Sequence, residues 1–250
     1  LEAHLDPADA RREAQLVLAH ASGLDRAAQV RDPEATVPPE VAARARHLAD
    51  QRARGVPLAY LTGVREFWGL PFAVGPGVLV PRPETETLVE AALRHLPSDR
   101  DARVLDLGTG SGCLLLAVLH ERPRAWGVGV DRSAVALGYA RRNARALGLA
   151  GRSAFAQGDW WAALAGRFDL VLANPPYVAS GDIHTLMVDV RAHEPREALD
   201  GGPDGLQAYG ALLPELPRRL APDGAGLIEI GHDQGAAVLA LARRVGLAAA

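Results

Sequence analysis

The chain contains no lysine, and all of its 27 basic side chains are arginine. With the abundant alanine and glycine, that reads as a compositional bias of the genome rather than a functional signal. Cys113 is the only cysteine, which excludes an intramolecular disulfide and a cysteine-cluster zinc site and points to a reducing cytoplasm. No apolar run reaches the ~18 residues of a membrane span, and no basic-then-apolar leader is present. Positive charge is not in excess: the formal net charge is −3, so nothing marks the molecule as a nucleic-acid binder. An initiating methionine is also missing, so trimming at one or both ends is expected. What remains is 250 residues of ordinary soluble composition, 48% hydrophobic and 23% charged, enough for one large domain or two small ones.

Periodicity divides the chain. Through about residue 55 the apolar positions recur at helical spacing. Asp6 is placed to cap, Pro7 to open the helix, and Ala14, Val17, Leu18 and Ala21 form its stripe before Gly23. A second helix starts at Pro38-Pro39-Glu40 and carries Val41, Ala45, Leu48 and Ala49. The two are expected to pair as a small bundle. Glu66-Phe67-Trp68 and Phe72-Ala73-Val74 then flank Gly69-Leu70-Pro71, which reads as a short hairpin. After Pro81 a helix presents Leu88, Val89, Ala92, Leu93 and Leu96 on one face.

From Arg103 onward strands and helices alternate. Strands are expected near 104–107, 126–130, 153–156, 168–173 and 225–230, and helices near 113–120, from Ser133, around 205–219 and near 236–244. Alternation of this kind argues a parallel sheet with helices on both faces, whose ligands bind at the carboxyl ends of the strands.

The informative residues fall at those ends. Asp106-Leu107-Gly108-Thr109-Gly110-Ser111-Gly112 leaves the first strand and opens a helix. Its glycines let backbone approach a ligand, and the helix start offers unpaired N–H groups. Asp131 ends the second strand, 19 residues past Gly112, where an acid can accept both hydroxyls of a ribose. Loop and acid together imply an adenosine cofactor, which NAD and S-adenosylmethionine satisfy equally. Gly158-Asp159-Trp160 ends the third strand. Asp159 and Trp160 there can bracket an adenine, or Trp160 and Trp161 can be packed aromatics at a domain edge.

Asn174-Pro175-Pro176-Tyr177 ends the fourth strand. Neither proline donates to a ladder, so pairing stops and carbonyls are left free. An Asn amide, such a carbonyl and an aromatic face can converge on a planar nitrogen that carries hydrogens. A proline-rich turn that merely closes a strand is the simpler alternative. An NAD enzyme has no evident use for this turn.

These four strand ends resemble the class I S-adenosylmethionine-dependent methyltransferases, and the last resembles the subset that methylates planar nitrogens. Three further blocks narrow the resemblance. They are Gly55-Val56-Pro57-Leu58-Ala59-Tyr60 with Gly63, Glu66–Gly69 and Phe72; Val80-Pro81-Arg82-Pro83-Glu84-Thr85-Glu86; and Glu194–Leu199 with Gly201-Gly202-Pro203-Asp204-Gly205-Leu206. With them, nearly the whole chain is similar to the bacterial release-factor glutamine methyltransferases, the HemK/PrmC family.

The resemblance implies an α/β, Rossmann-like methyltransferase sheet at 81–250, a helical N-terminal docking domain at 1–63 and a β-hairpin linker at 64–80. It implies S-adenosylmethionine held by Asp106, Gly108, Thr109, Gly110, Ser111, Gly112, Asp131, Asp159, Trp160 and Asn174. Catalysis falls to Asn174, Pro175, Pro176 and Tyr177. Asn174 and the Pro175 carbonyl would accept the two hydrogens of a glutamine amide, Tyr177 would pack on its plane, and no residue has a claim as general base. The implied partner is a class I peptide chain release factor, methylated at its Gly-Gly-Gln glutamine in the cytoplasm, with no metal, stable nucleic acid or membrane involved. Family members continue into a final antiparallel strand pair, so the last strands are expected to be missing here. A nucleic-acid amino-methyltransferase, a ribosomal-protein glutamine methyltransferase and a cofactor-binding module without chemistry are the competing readings.

Overall fold

Every strand of the main sheet runs the same way, as the alternating pattern requires. The computed structural model describes residues 7–248 except 25, 33 and 163, so the expected cap at Asp6 lies outside the described residues. The chain divides into two units, Leu1–Val64 with Met187–His193, and Arg65–Leu186 with Glu194–Ala250.

The first unit is helical. It contains α1 (Pro7–Ser22), α2 (Arg26–Arg31), α3 (Pro39–Ala53) and α4 (Leu58–Thr62). Ala10, Val17 and Ala21 bury one stripe of α1, which packs against α3. Neither helix carries a strongly apolar face, and a shielded ion pair adds to the contact: Arg52 Nε on α3 donates to Glu13 Oε2 on α1 at 2.7 Å.

The boundary at Val64 falls on the first residue of β1 (Val64–Phe67), which β2 (Leu70–Ala73) follows in the second unit. The hairpin is real, but it turns at Trp68-Gly69 rather than at 69–71. Both turn residues have positive φ, 55° and 68°, the two-residue geometry that matches strand twist. A tryptophan is an unexpected occupant. Its amide donates to Glu86 Oε1 at 2.8 Å and its indole to Glu121 Oε1 at 3.0 Å, which holds it there. Pro71 can lie within β2 because each strand of a two-stranded sheet is an edge.

Next come α5 (Glu86–His95), β3 (Ala102–Leu107), α6 (Cys113–Glu121), β4 (Ala125–Asp131), α7 (Ala134–Ala146), β5 (Ser153–Gln157) and β6 (Phe168–Ala173). A short helix α8 (Val188–His193) follows, falling in the first unit, where Asp189 adds a second acid to Arg52 at 3.6 Å. The chain then forms α9 (Gln207–Leu212), α10 (Leu216–Arg219), β7 (Leu220–Ile228) and α11 (Gly235–Arg244). The single helix expected over 205–219 is broken, because Pro214 has no N–H to continue the ladder.

The sheet order is β5-β4-β3-β6-β7, with every pairing parallel. Alternate residues of its central strands feed two cores. Val104, Leu170 and Leu172 pack with the buried run Leu114–Leu119 of α6 and with Leu88, Val89 and Ala92 of α5. Leu105, Leu107, Val171 and Ala173 pack with Tyr209, Leu212, Leu216 and Val238 on the other face. The chain leaves β3 toward β4 on one side and reaches β6 on the other, so the order reverses beside β3. That reversal opens a crevice at the carboxyl ends of β3 and β6. Among the described residues no helix is long and apolar enough to cross a membrane.

Candidate active site

A cavity of about 770 Å³ occupies that crevice. Gly108–Ser111 from the end of β3, Asp131 from β4, Gly158–Trp160 after β5, and Asn174 and Pro176 after β6 line it. Sequence reading thus brings its four strand ends to one place.

The glycine loop is pinned rather than open. Gly108, Gly110 and Gly112 have φ of 73°, 56° and 81°, which only glycine adopts readily. The Gly108 and Thr109 amides both donate to the Val130 carbonyl, Gly110 donates to Asp131 Oδ2, and Gly112 donates to the Thr109 carbonyl. Four of the five loop amides are therefore already taken, three of them by β4. A ligand gains close backbone approach from this turn, not the array of free N–H groups that the motif suggests. A Cβ on Gly108 would stand 3.6 Å from Trp160 Cζ3 and 4.0 Å from the Asn174 carbonyl oxygen, filling the space between them.

Asp106 is fully buried beneath the loop instead of facing the cavity, and Gly112 also stands outside its wall. Asp106 Oδ2 accepts from the Thr109 hydroxyl at 2.6 Å, while Oδ1 finds no hydrogen-bond partner among the described residues. Burial pushes the carboxyl up to about 7, against the pull of the Thr109 hydroxyl. Its place is that of a support for Thr109.

Asp131 is half-buried at the cavity wall. Oδ2 accepts from Gly110 and Oδ1 from the Ser133 amide, each at 2.8 Å, so one acceptor site per oxygen remains for a ligand. Burial raises its pKa, and those two amides pull it back. Trp160, with φ 47°, turns into the cavity, whereas Trp161 is buried in the core. Trp160 also packs against that core, so it serves the cavity wall and the packing together. Asn143 is the polar member of the α7 stripe and is 1% exposed. It bonds both the N–H and the C=O of Ala73 and also the Ser111 carbonyl, tying the hairpin to the loop.

Asn174 is half-buried, and its Nδ2 donates to Thr85 Oγ1 at 3.0 Å. The Pro175 carbonyl takes no hydrogen bond from the described residues. Tyr177 does not line the cavity. It packs against the second core, and its hydroxyl donates to Glu229 Oε1 at 3.3 Å; burial and that carboxylate raise its pKa.

Relatives decide what this arrangement belongs to. The Methyltransferase small domain matches residues 85–203, and the PrmC N-terminal domain matches residues 2–63. A release factor glutamine methyltransferase of Bradyrhizobium diazoefficiens is 47% identical over 229 residues, which are 90% of this chain and 77% of that protein. The chain belongs to the release factor glutamine methyltransferase family. Others named alike from Caulobacter vibrioides and Moorella thermoacetica are each 47% identical, over 94% of this chain and 81% and 83% of their own lengths.

Within this family member, two side chains outside the expected site brace it. Glu194 is 7% exposed; its Oε1 accepts from Arg82 Nη2 at 2.6 Å and its Oε2 from the Val80 amide at 3.1 Å. Gln234 donates to the Tyr177 carbonyl at 2.9 Å and accepts from Tyr209 and from the Gly231 amide, each at 3.0 Å. The sequence alone assigns neither residue a role. Glu194 reaches Arg82 and Val80 across 112 and 114 residues, and Gln234 reaches Tyr177 across 57, beyond the reach of any local pattern.

Proposed function

We propose that the protein transfers a methyl group from S-adenosylmethionine to the side-chain nitrogen, N5, of the glutamine in the Gly-Gly-Gln motif of class I peptide chain release factors. One observation carries the reading: the glycine loop and Asn174 share a cavity wall, with the Asn174 carbonyl 4.0 Å from where a Cβ of Gly108 would stand. A donor lying on the loop is therefore beside the group that orients the acceptor.

The residues present suit S-adenosylmethionine. Glycine at 108 leaves a cradle that a side chain would fill, Asp131 keeps acceptor capacity for ribose hydroxyls, and Trp160 offers a ring face to adenine. When bound, the cofactor supplies an electrophilic methyl group. A glutamine nitrogen is a poor nucleophile because its lone pair is shared with the carbonyl. Asn174 Oδ1 and the Pro175 carbonyl would each accept one of its hydrogens, which turns the nitrogen toward the methyl and leaves it richer in electrons. Positioning of this kind is worth about 7–11 kcal/mol in favourable cases. Tyr177, outside the cavity wall, would brace the turn from the second core, its hydroxyl on Glu229. The proton leaves to solvent after transfer.

In this reading residues 1–63 dock the protein partner, 64–80 link, and 81–250 carry the chemistry, in the cytoplasm where translation terminates. The test is incubation with labelled S-adenosylmethionine and a class I release factor, followed by mapping of the label by mass spectrometry. Label on the Gly-Gly-Gln glutamine is expected, and Asn174→Ala should abolish it. Label that goes instead to DNA, RNA or a ribosomal protein refutes the proposal.

A further inference from the structure

Pro81–Glu86 helps to mark the family in the sequence, yet none of its side chains performs a step in the proposed reaction. Its contacts supply a different use. Thr85 is 2% exposed on the cavity wall, and its Oγ1 takes the hydrogen bond from Asn174 Nδ2. A carboxamide has two unlike ends, an accepting oxygen and a donating nitrogen, and half a turn about Cβ–Cγ exchanges them. Only the oxygen-inward form can receive an N–H from an acceptor amide; the reversed form sets donor against donor. With Nδ2 held by Thr85, Oδ1 meets no donor among the described residues and stays accessible.

Thr85 is itself fixed from both sides. Its amide donates to the Arg82 carbonyl at 3.1 Å, and Arg82 is clamped by the buried Glu194. On the other side Glu86 holds the Trp68 amide of the hairpin turn. The block thus joins hairpin, Glu194 segment and Asn174 through Glu86, Arg82 and the buried Thr85 hydroxyl.

We propose that Thr85 is a positioning residue for methyl transfer, which sets the Asn174 carboxamide with its oxygen toward the acceptor nitrogen. The proposal rests on the reading of Asn174 as that acceptor. Thr85→Val removes the hydroxyl and keeps the shape; Thr85→Ser restores the hydroxyl, and Thr85→Ala serves if the valine variant does not fold.

In the full chain, Thr85→Val should lower kcat about tenfold or more, the worth of one hydrogen bond. KM for the release factor, the S-adenosylmethionine Kd and the melting temperature should stay near wild type. Thr85→Ser should regain most of the rate. In cofactor-free protein, the Asn174 side-chain NH₂ resonances should exchange faster with solvent in Thr85→Val than in wild type. Combined with Asn174→Ala, the valine should cost no further rate. Wild-type kcat in Thr85→Val beside an inactive Asn174→Ala overturns the role of Thr85 alone. A serine variant as slow as the valine also overturns it. Wild-type turnover in Asn174→Ala would sink the underlying reading instead.

Discussion

Burial of Asp106 makes the fold lose stability as pH rises, and the size of the loss follows from its surroundings. The carboxyl is fully buried, with one oxygen on the Thr109 hydroxyl, and its folded pKa stands at about 7. In the unfolded chain an Asp titrates near ~3.9. Between these values the folded molecule holds a proton that the unfolded chain has released, so stability falls with rising pH. The contribution is fully present below about pH 4, declines through the window and is gone above about pH 7. From pH 5.5 to 8.5 the fall spans about 1.5 pH units at about 1.4 kcal/mol each, or about 2 kcal/mol. Asp131 is shifted the same way and adds to the trend. Urea unfolding at pH 5.5, 7.0 and 8.5 measures the slope, and ¹³C titration of the Asp106 carboxyl measures its source. Asp106→Ala should flatten the slope. A stability that is constant or rises between pH 5.5 and 7, or an Asp106 carboxyl that titrates below pH 5, refutes the argument; the titration decides even if the variant does not fold.

Asp131→Ala removes a ribose acceptor and releases the Gly110 amide at once. The S-adenosylmethionine Kd should rise about 10–100-fold, the worth of a charge-assisted hydrogen bond at ~1.5–3 kcal/mol; an unchanged Kd by calorimetry contradicts the assignment. Gly205 has φ 73°, and a Cβ there would collide with the Tyr177 carbonyl oxygen and Gln234 Nε2. Gly205→Ala should therefore lose about 2–4 kcal/mol of stability, read by urea unfolding, along with activity. Gly210→Ala is the contrast: its Cβ meets nothing within 4 Å on α9, so it should be neutral or gain about 0.5–1 kcal/mol.

What the sequence made legible is what short-range periodicity can encode. The strands over 104–107 and 168–173 alternate between two cores and stand out, as does α7 with its stripe Ala136, Ala140 and Asn143. The strand-end residues were legible for a related reason: glycines, acids and prolines interrupt apolar runs where a sheet turns toward its crevice. Helices α2, α4 and α8 are five or six residues long, too short to show a period, and were missed. The hairpin turn was misplaced because what stabilises Trp68 in a left-handed conformation is Glu86, 18 residues on. Asp106 illustrates the same limit within the site. Its motif announces a ligand, while its depth, set by packing around β3, makes it a support for Thr109.

The Asn174–Tyr177 segment shows why the site depends on distant contacts. Two prolines deprive it of N–H groups, so it cannot be ordered by extending its own sheet. It is ordered from outside instead. The Ala173 carbonyl before it accepts from Glu229, Asn174 Nδ2 is taken by Thr85, and the Tyr177 hydroxyl and carbonyl go to Glu229 and Gln234. Beyond it, Val178 exchanges bonds with Leu199 and Gly201. These partners come from three separate stretches of chain, so the geometry is set by folding before any substrate arrives. Such preorganisation is what a weak nucleophile needs, since little rate can come from activating a resonance-stabilised amide. Within this frame, Asn174 Oδ1 and the Pro175 carbonyl are acceptors that no described residue uses, and Asn174 lines the crevice. Loosening any one tie should therefore cost methyl transfer more than it costs cofactor binding, because the glycine loop and Asp131 are held by β4, on the other side of β3.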